Sequence, residues 1–108
     1  MLNEVDQTRG HHLLVAEVAG ELVGTVAVVV VPSVIGQPYA FVETLFVIEA
    51  SRRHGVARRL METAIQTART AGCFGVNLLS GHRNREAHAL FESLGFEGRS
   101  KGYILYFR

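Results

Sequence analysis

The sequence predicts one α/β (α+β) domain with a mixed, mostly antiparallel sheet flanked by helices, in the order β-β-β-α-β-α-β. Three observations predict it. Runs rich in β-branched residues, punctuated by Gly and Pro, fill positions 12 to 48. At Val56 the apolar spacing changes from two to four. A short apolar run then separates that helix from a second one headed by Asn84.

Residues 1–10 read as a polar, aperiodic tail on a single domain spanning 1–108. His12 to Val18 and Leu22 to Val31 read as antiparallel strands, because Ala19-Gly20-Glu21 between them is a Gly-containing loop of hairpin length. Pro32-Ser33 and Gly36-Gln37-Pro38 punctuate the chain before a third strand, Tyr39 to Ile48. Val56, Leu60, Ala64 and Ala68 then line one helix face, beside Ala57, Met61 and Ile65, with arginines and glutamates opposite. That helix is expected to end at Gly72. Phe74 to Leu79 reads as a short strand. Asn84 caps a second helix carrying Glu86 in its first turn and an apolar stripe of Ala87, Leu90, Phe91 and Leu94, with Gly95 as its stop. Tyr103 to Phe107 reads as a closing strand.

Composition bounds what such a domain can do. With 48% hydrophobic residues and 2 prolines in 108, the chain lies far from disordered sequences. The net charge of +1 supplies no broadly basic face, so a nucleic-acid partner is not expected. Charge is nevertheless concentrated locally: four of the ten arginines, Arg52, Arg53, Arg58 and Arg59, fall within eight positions. The single Cys73 fits a reducing compartment and a buried, inert thiol. The longest apolar run, Leu22 to Ile35, is too short and too interrupted to span a membrane, and MLNEVDQTRG has no signal-peptide core. A cytoplasmic protein is expected. The five histidines match no zinc-ligand spacing and have no cysteine partners, so no metal is expected.

The segment VIEASRRHGVARRLMETA leads from a strand through a short turn into a helix. It therefore sets the unpaired N–H groups and positive dipole end of that helix at the C-terminal edge of the strand, where phosphate groups are stabilised. Gly55 and Ala57 keep side-chain bulk off the backbone, and Arg52, Arg53 and Arg58 add charge. On its own, R-x-x-G-x-A is also what a solvated, arginine-rich helix start presents. A Walker A loop and G-x-G-x-x-G are both absent, which disfavours nucleoside triphosphates and dinucleotides.

Taken in order and spacing, the strand AFVETLFVIEA, the turn-helix RRHGVARRLMETAIQTA and the helix NREAHALFESLGF resemble the GCN5-related N-acetyltransferases (GNAT) over roughly residues 12–107. The family's turn signature is met by Arg52, Gly55 and Ala57. The resemblance implies acetyl-coenzyme A as cosubstrate, with its pyrophosphate held by backbone amides from Arg53 through His54, Gly55, Val56 and Ala57 to Arg58. It implies that the main chain of Leu45, Phe46 and Val47 pairs with the pantetheine arm, and that Asn84 contacts the cosubstrate near its thioester. Helix capping explains the identity of Asn84 equally well. By the same likeness the chain lacks the family's usual N-terminal strand and two helices. The first strand, His12 to Val18, would then be an open edge, and a homodimer is expected to cover it or to complete the acceptor pocket.

Acetyl transfer to an amine needs a base for the ammonium, a donor to the thioester oxygen and a proton for the leaving thiolate. Glu43 is the one ionisable side chain between Tyr39 and Ile48. Strand alternation would group it with Phe41, Leu45 and Val47, a partly desolvated seat that suits a general base. The resemblance agrees, since histone-type members carry a catalytic glutamate at the matching place. A glutamate facing an open sheet end or a dimer partner is the other reading. The oxygen donor would be a strand amide, Val47. Where family members often have a tyrosine near the departing sulfur, this chain has Phe91, which cannot donate a proton. His88 follows Ala87 as in small-molecule members and is read as structural. Two functions follow: an N-acetyltransferase acting on a primary amine of a small molecule or protein, or a CoA-binding or dimerising module of the same fold with weak or no transfer.

Overall fold

The computed structural model describes residues 2–6, 10–34, 36–81, 83–99 and 102–107. The chain divides into two compact units, Met1–Leu78 and Leu79–Arg108.

The first unit is a five-stranded sheet carrying one long helix. Its strands are β1 (Leu2–Asp6), β2 (His11–Val18), β3 (Glu21–Ser33), β4 (Gly36–Val47) and β5 (Val76–Leu78), adjacent in that order. The first four are antiparallel to their neighbours, whereas β5 lies parallel to β4. The helix α1 (Val56–Thr70) makes the crossover between those two parallel strands, as a β-α-β connection requires. A short 3₁₀ turn, Glu49–Ser51, lies between β4 and α1.

The β2–β3 hairpin is tighter than its sequence suggests. Val18 pairs with Glu21, leaving Ala19 and Gly20 as a two-residue turn with φ of 52° and 81°. Two positive φ values match the twist of the flanking strands, and Gly20 adopts its value without strain. On the sheet face toward α1, β-branched alternation buries Val26 and Val28, and Leu60, Met61, Ala64 and Ala68 of α1 are buried with them. The four-residue spacing read from the sequence is therefore the one that packs.

Gly24 sets how closely α1 approaches. A Cβ there would stand 3.1 Å from Phe46 O, 3.1 Å from Leu60 Cδ1 and 3.2 Å from Val56 Cγ1. The backbone oxygen belongs to the paired strand β4 and cannot retreat without breaking register. Gly24→Ala is expected to cost about 1–3 kcal/mol through overpacking, read as a lower urea midpoint at unchanged m. A variant as stable as the parent would show that α1 is free to shift.

Two expectations fail. Residues 2–6, read as part of a polar tail, form β1 and pair with Leu13–Ala16 of β2. Ladder pairing satisfies backbone groups whatever the side chains are, so polar composition did not signal it. The edge of β2 is thereby covered, and the argument that it needs a second copy falls away. The closing strand expected at Tyr103 to Phe107 is also not formed. Those residues are exposed and join no ladder among the described residues, because an apolar run makes a strand only where a partner edge exists. The strand expected from Phe74 is regular only at Val76–Leu78, although Phe74 N–H still donates to Pro38 O at 2.9 Å.

The second unit holds α2 (Arg85–Ser93). Phe91 is buried there with its ring centroid 5.9 Å from that of Phe96, edge to face. Gly95, at φ 97°, ends the helix in the left-handed conformation expected of a terminal glycine. Among the described residues, no helix is long and apolar enough to cross a membrane.

Candidate functional site

The C-terminal half of β4 departs from regular geometry. Ala27 pairs with Glu43 but Thr25 with Phe46, so two residues of β4, Thr44 and Leu45, oppose the single Val26. This is a β-bulge, and Thr44 sits in it at φ 57°. Left-handed backbone is costly for a β-branched residue, so the surrounding pairing must hold it there. The extra residue flips the phase of the strand. Val42 and Val47, five positions apart, are both buried, because each lies opposite a residue of the α1 side of the sheet, Val28 and Gly24.

Glu43 is corrected by this bulge. It shares a face with Phe41, as alternation predicts, but Val47 is carried to the other face, and the Glu43 side chain is exposed. The apolar seat expected for it is not present in the first unit. Nothing in the sequence marks the bulge: Thr44 is a strand-former, and no Gly or Asn stands where positive φ is needed.

Beyond the bulge, β4 also loses a neighbour. β5 pairs with Ala40, Phe41 and Val42 alone, so the parallel ladder stops before Glu43. Ile48 N–H donates to Val23 O at 2.9 Å. Alternate residues turn their N–H groups to opposite edges, so Val47 N–H is directed to the edge away from β3. The main chain of Leu45 to Val47 thus lies beyond the end of the β4–β5 ladder.

The chain then makes its 3₁₀ turn, and Arg52 N–H caps it on Glu49 O at 3.2 Å. Arg53 and Gly55 take φ of 65° and 79°, two left-handed residues that wrap the backbone into the start of α1. Gly55 is the helix N-cap and supplies no side-chain cap, and no acidic residue lies in the first turn. The first intrahelical bond shown is Arg59 N–H to Gly55 O at 3.1 Å. The amides of Val56 and Ala57 therefore head the helix, and a Cβ on Gly55 would meet nothing within 4 Å. The turn leaves the helix start without a side-chain cap and with open space beside Gly55. His54 is exposed within it.

Arginines surround this turn unequally. Arg58 stands 4.0 Å from Glu62 in an exposed i,i+4 pair of little energetic weight. Arg52 Nε donates to Val47 O at 2.9 Å, and its guanidinium carbon lies 5.8 Å from the centre of the Phe46 ring.

In the second unit, Asn84 acts as a helix cap, its Oδ1 accepting from Ala87 N–H at 3.1 Å. Glu86 in the first turn complements the dipole there. Phe91, at the position where a tyrosine would serve as proton donor, is a packing residue. Burial pushes the Cys73 thiol up from its ordinary value, which keeps it protonated at neutral pH. An open cavity of about 490 Å³ lined by Gly10, His12, Val30, Pro32 and Ala71 adjoins the other end of α1 from Gly55 and is no part of the turn.

Comparison with known proteins assigns the chain to a family. The model of the acetyltransferase (GNAT) family matches residues 2–96. The chain belongs to the GNAT family. Over 99 residues this GNAT chain is 33% identical to N-acetyltransferase 8 of Rattus norvegicus, a match covering 89% of the chain but 44% of that protein. It thus spans less than half of that relative. Among solved structures it is similar to a putative acetyltransferase from Agrobacterium tumefaciens str. C58, with a TM-score of 0.87 and 34% identity over 93% of this chain and 71% of the other. The same fold appears at 21% identity, with a TM-score of 0.81 over 94% and 72% of the two chains, in AAC(6')-Iy, whose structure is a complex with a bisubstrate analog, CoA-S-monomethyl-acetylneamine.

Proposed function

We propose that this GNAT chain is an acetyl-CoA-dependent N-acetyltransferase that moves an acetyl group to a primary amine of a small molecule or a protein. One observation carries the reading. The uncapped, glycine-started N-terminus of α1 lies one short turn beyond the unpartnered stretch of β4, and open space lies where a Gly55 side chain would stand. Diphosphate chemistry fits the turn, because backbone N–H groups and the helix dipole favour negative charge there and no carboxylate already occupies the first turn. An extended arm fits the β4 edge, where Leu45 to Val47 offer main-chain groups as a missing strand would.

Acetyl-CoA supplies an activated acyl group, and the chain's residues supply position and charge. Val47 N–H, directed to the edge away from β3, would donate to the thioester oxygen as negative charge develops on it. Glu43, exposed on the β4 face away from α1, would take a proton from the acceptor ammonium, directly or through water. The amine then forms the C–N bond as the C–S bond breaks, and the thiolate takes its proton from solvent, since Phe91 has none to give.

Two measurements test this. Acetyl-CoA or CoA, but not ATP, is expected to raise the thermal midpoint, and ligand at ~100 times its dissociation constant adds roughly 2.7 kcal/mol. In an amine-acceptor screen, Glu43→Gln is expected to lower kcat by about 10²–10⁴-fold with the KM for acetyl-CoA little changed. An unchanged kcat would sink the base assignment. The burial of Phe91 against Phe96 favours a second reading, a CoA-binding module without efficient transfer. CoA binding with no turnover in that screen would establish it.

A further inference from the structure

The arginines of the turn are not alike. Arg52 leaves the 3₁₀ turn with its backbone capping Glu49 O, and its side chain returns to the strand the chain has just left. There Nε bonds Val47 O at 2.9 Å while the guanidinium lies over the half-exposed Phe46 ring. Phe46 and Val47 belong to the stretch of β4 that β5 does not pair. No strand among the described residues pairs Val47 on that side, and the Arg52 side chain bonds the Val47 carbonyl in place of a ladder donor.

We infer that Arg52 is a positioning residue: through Val47 O it holds the open end of β4 at a set distance from the turn, and its charge is not its contribution. The inference rests on the acetyl-CoA reading, because it fixes the Val47 N–H relative to the amides of Val56 and Ala57. Its chemical signature is distinctive. A phosphate asks a side chain for positive charge, which lysine keeps. The Val47 carbonyl asks for an N–H at the fourth side-chain atom, which in arginine is Nε, in glutamine is Nε2 and in lysine is a methylene. Glutamine should therefore replace arginine here, and lysine should not.

The test compares the parent with Arg52→Gln, Arg52→Lys and Arg52→Ala by two readouts. Amide hydrogen exchange in the ligand-free protein reports the clasp, at Phe46, which pairs with Thr25 of β3, and at Ile48, whose N–H donates to Val23 O. Calorimetric titration with CoA, and with ADP as a diphosphate lacking the pantetheine arm, reports its consequence. The expected pattern groups Gln with the parent, while Lys and Ala exchange faster at both amides and bind CoA about tenfold more weakly, the scale of one net hydrogen bond. ADP binding is expected to change little in any variant. Grouping of Lys with the parent and Gln with Ala would overturn the inference in favour of a charge role, as would equal losses for CoA and ADP. Identical behaviour of all four proteins would overturn it too. If exchange follows the expected order but no form binds CoA, the acetyl-CoA reading fails and Arg52 is reduced to a structural clasp.

Discussion

Leu60→Ala is expected to lower the unfolding free energy by about 2–5 kcal/mol, a large part of the 5–15 kcal/mol typical of a domain this size. Leu60 is fully buried, and its Cδ1 lies where a Gly24 Cβ would come within 3.1 Å. Truncation thus removes apolar burial and opens a hole at the tightest contact between α1 and the sheet. β3 and β4 are joined by their ladder and cannot close around that hole, so relaxation should recover little. Urea unfolding with m unchanged is the measurement. A loss under about 0.5 kcal/mol would mean that α1 is not seated on β3 as described, since only surface positions tolerate truncation so well.

Gly55→Val is expected to abolish measurable CoA binding and to cost about 1–3 kcal/mol of stability. The two losses have different causes, and a second variant separates them. At φ 79° a β-branched side chain is strained, whereas asparagine visits that region more readily. The space around a Gly55 Cβ is open, so neither side chain collides with the protein. Each would instead project into the space a diphosphate needs to reach the helix amides. Gly55→Asn should therefore recover most of the stability while CoA affinity stays at least about tenfold weaker, one charge-assisted hydrogen bond being worth about 1.5–3 kcal/mol. Parent-like titrations for both variants would remove the turn from the binding site.

These effects fall on residues of unequal legibility. Gly55 was marked by its neighbours only as a small residue between a strand and an arginine-rich helix start, a pattern that a solvated helix start presents equally well; its link to a diphosphate came from the family resemblance. Leu60 followed from the four-residue apolar spacing of α1, and burial at Leu60, Met61, Ala64 and Ala68 agrees with it. Asn84 was readable as a cap for the same reason: its partner, Ala87 N–H, is three residues away. Gly24 carried a fainter signal, a lone glycine in a strand pattern, which marks close approach without naming what approaches.

Glu43 and Arg52 could not be read that way. The face that Glu43 occupies depends on a bulge created by the register between β3 and β4, and one inserted residue reverses every side chain beyond it. Arg52 looked like one of several equivalent charges until the path of the 3₁₀ turn returned its Nε to Val47 O. The strand β1 was hidden for a related reason, because its place is decided by backbone pairing with β2 and not by its own polar side chains.

The sequence by itself determined the α/β class, the hairpin, the two helices with their glycine stops, the Asn84 cap and the short turn from strand to helix, because each depends on interactions a few residues apart. Only the tertiary structure decided the pairing of β1, the bulge at Thr44, the end of the β4–β5 ladder at Val42 and the closeness of α1 to Gly24. Those depend on register and distance between segments far apart in the chain, for which no local residue pattern supplies a code.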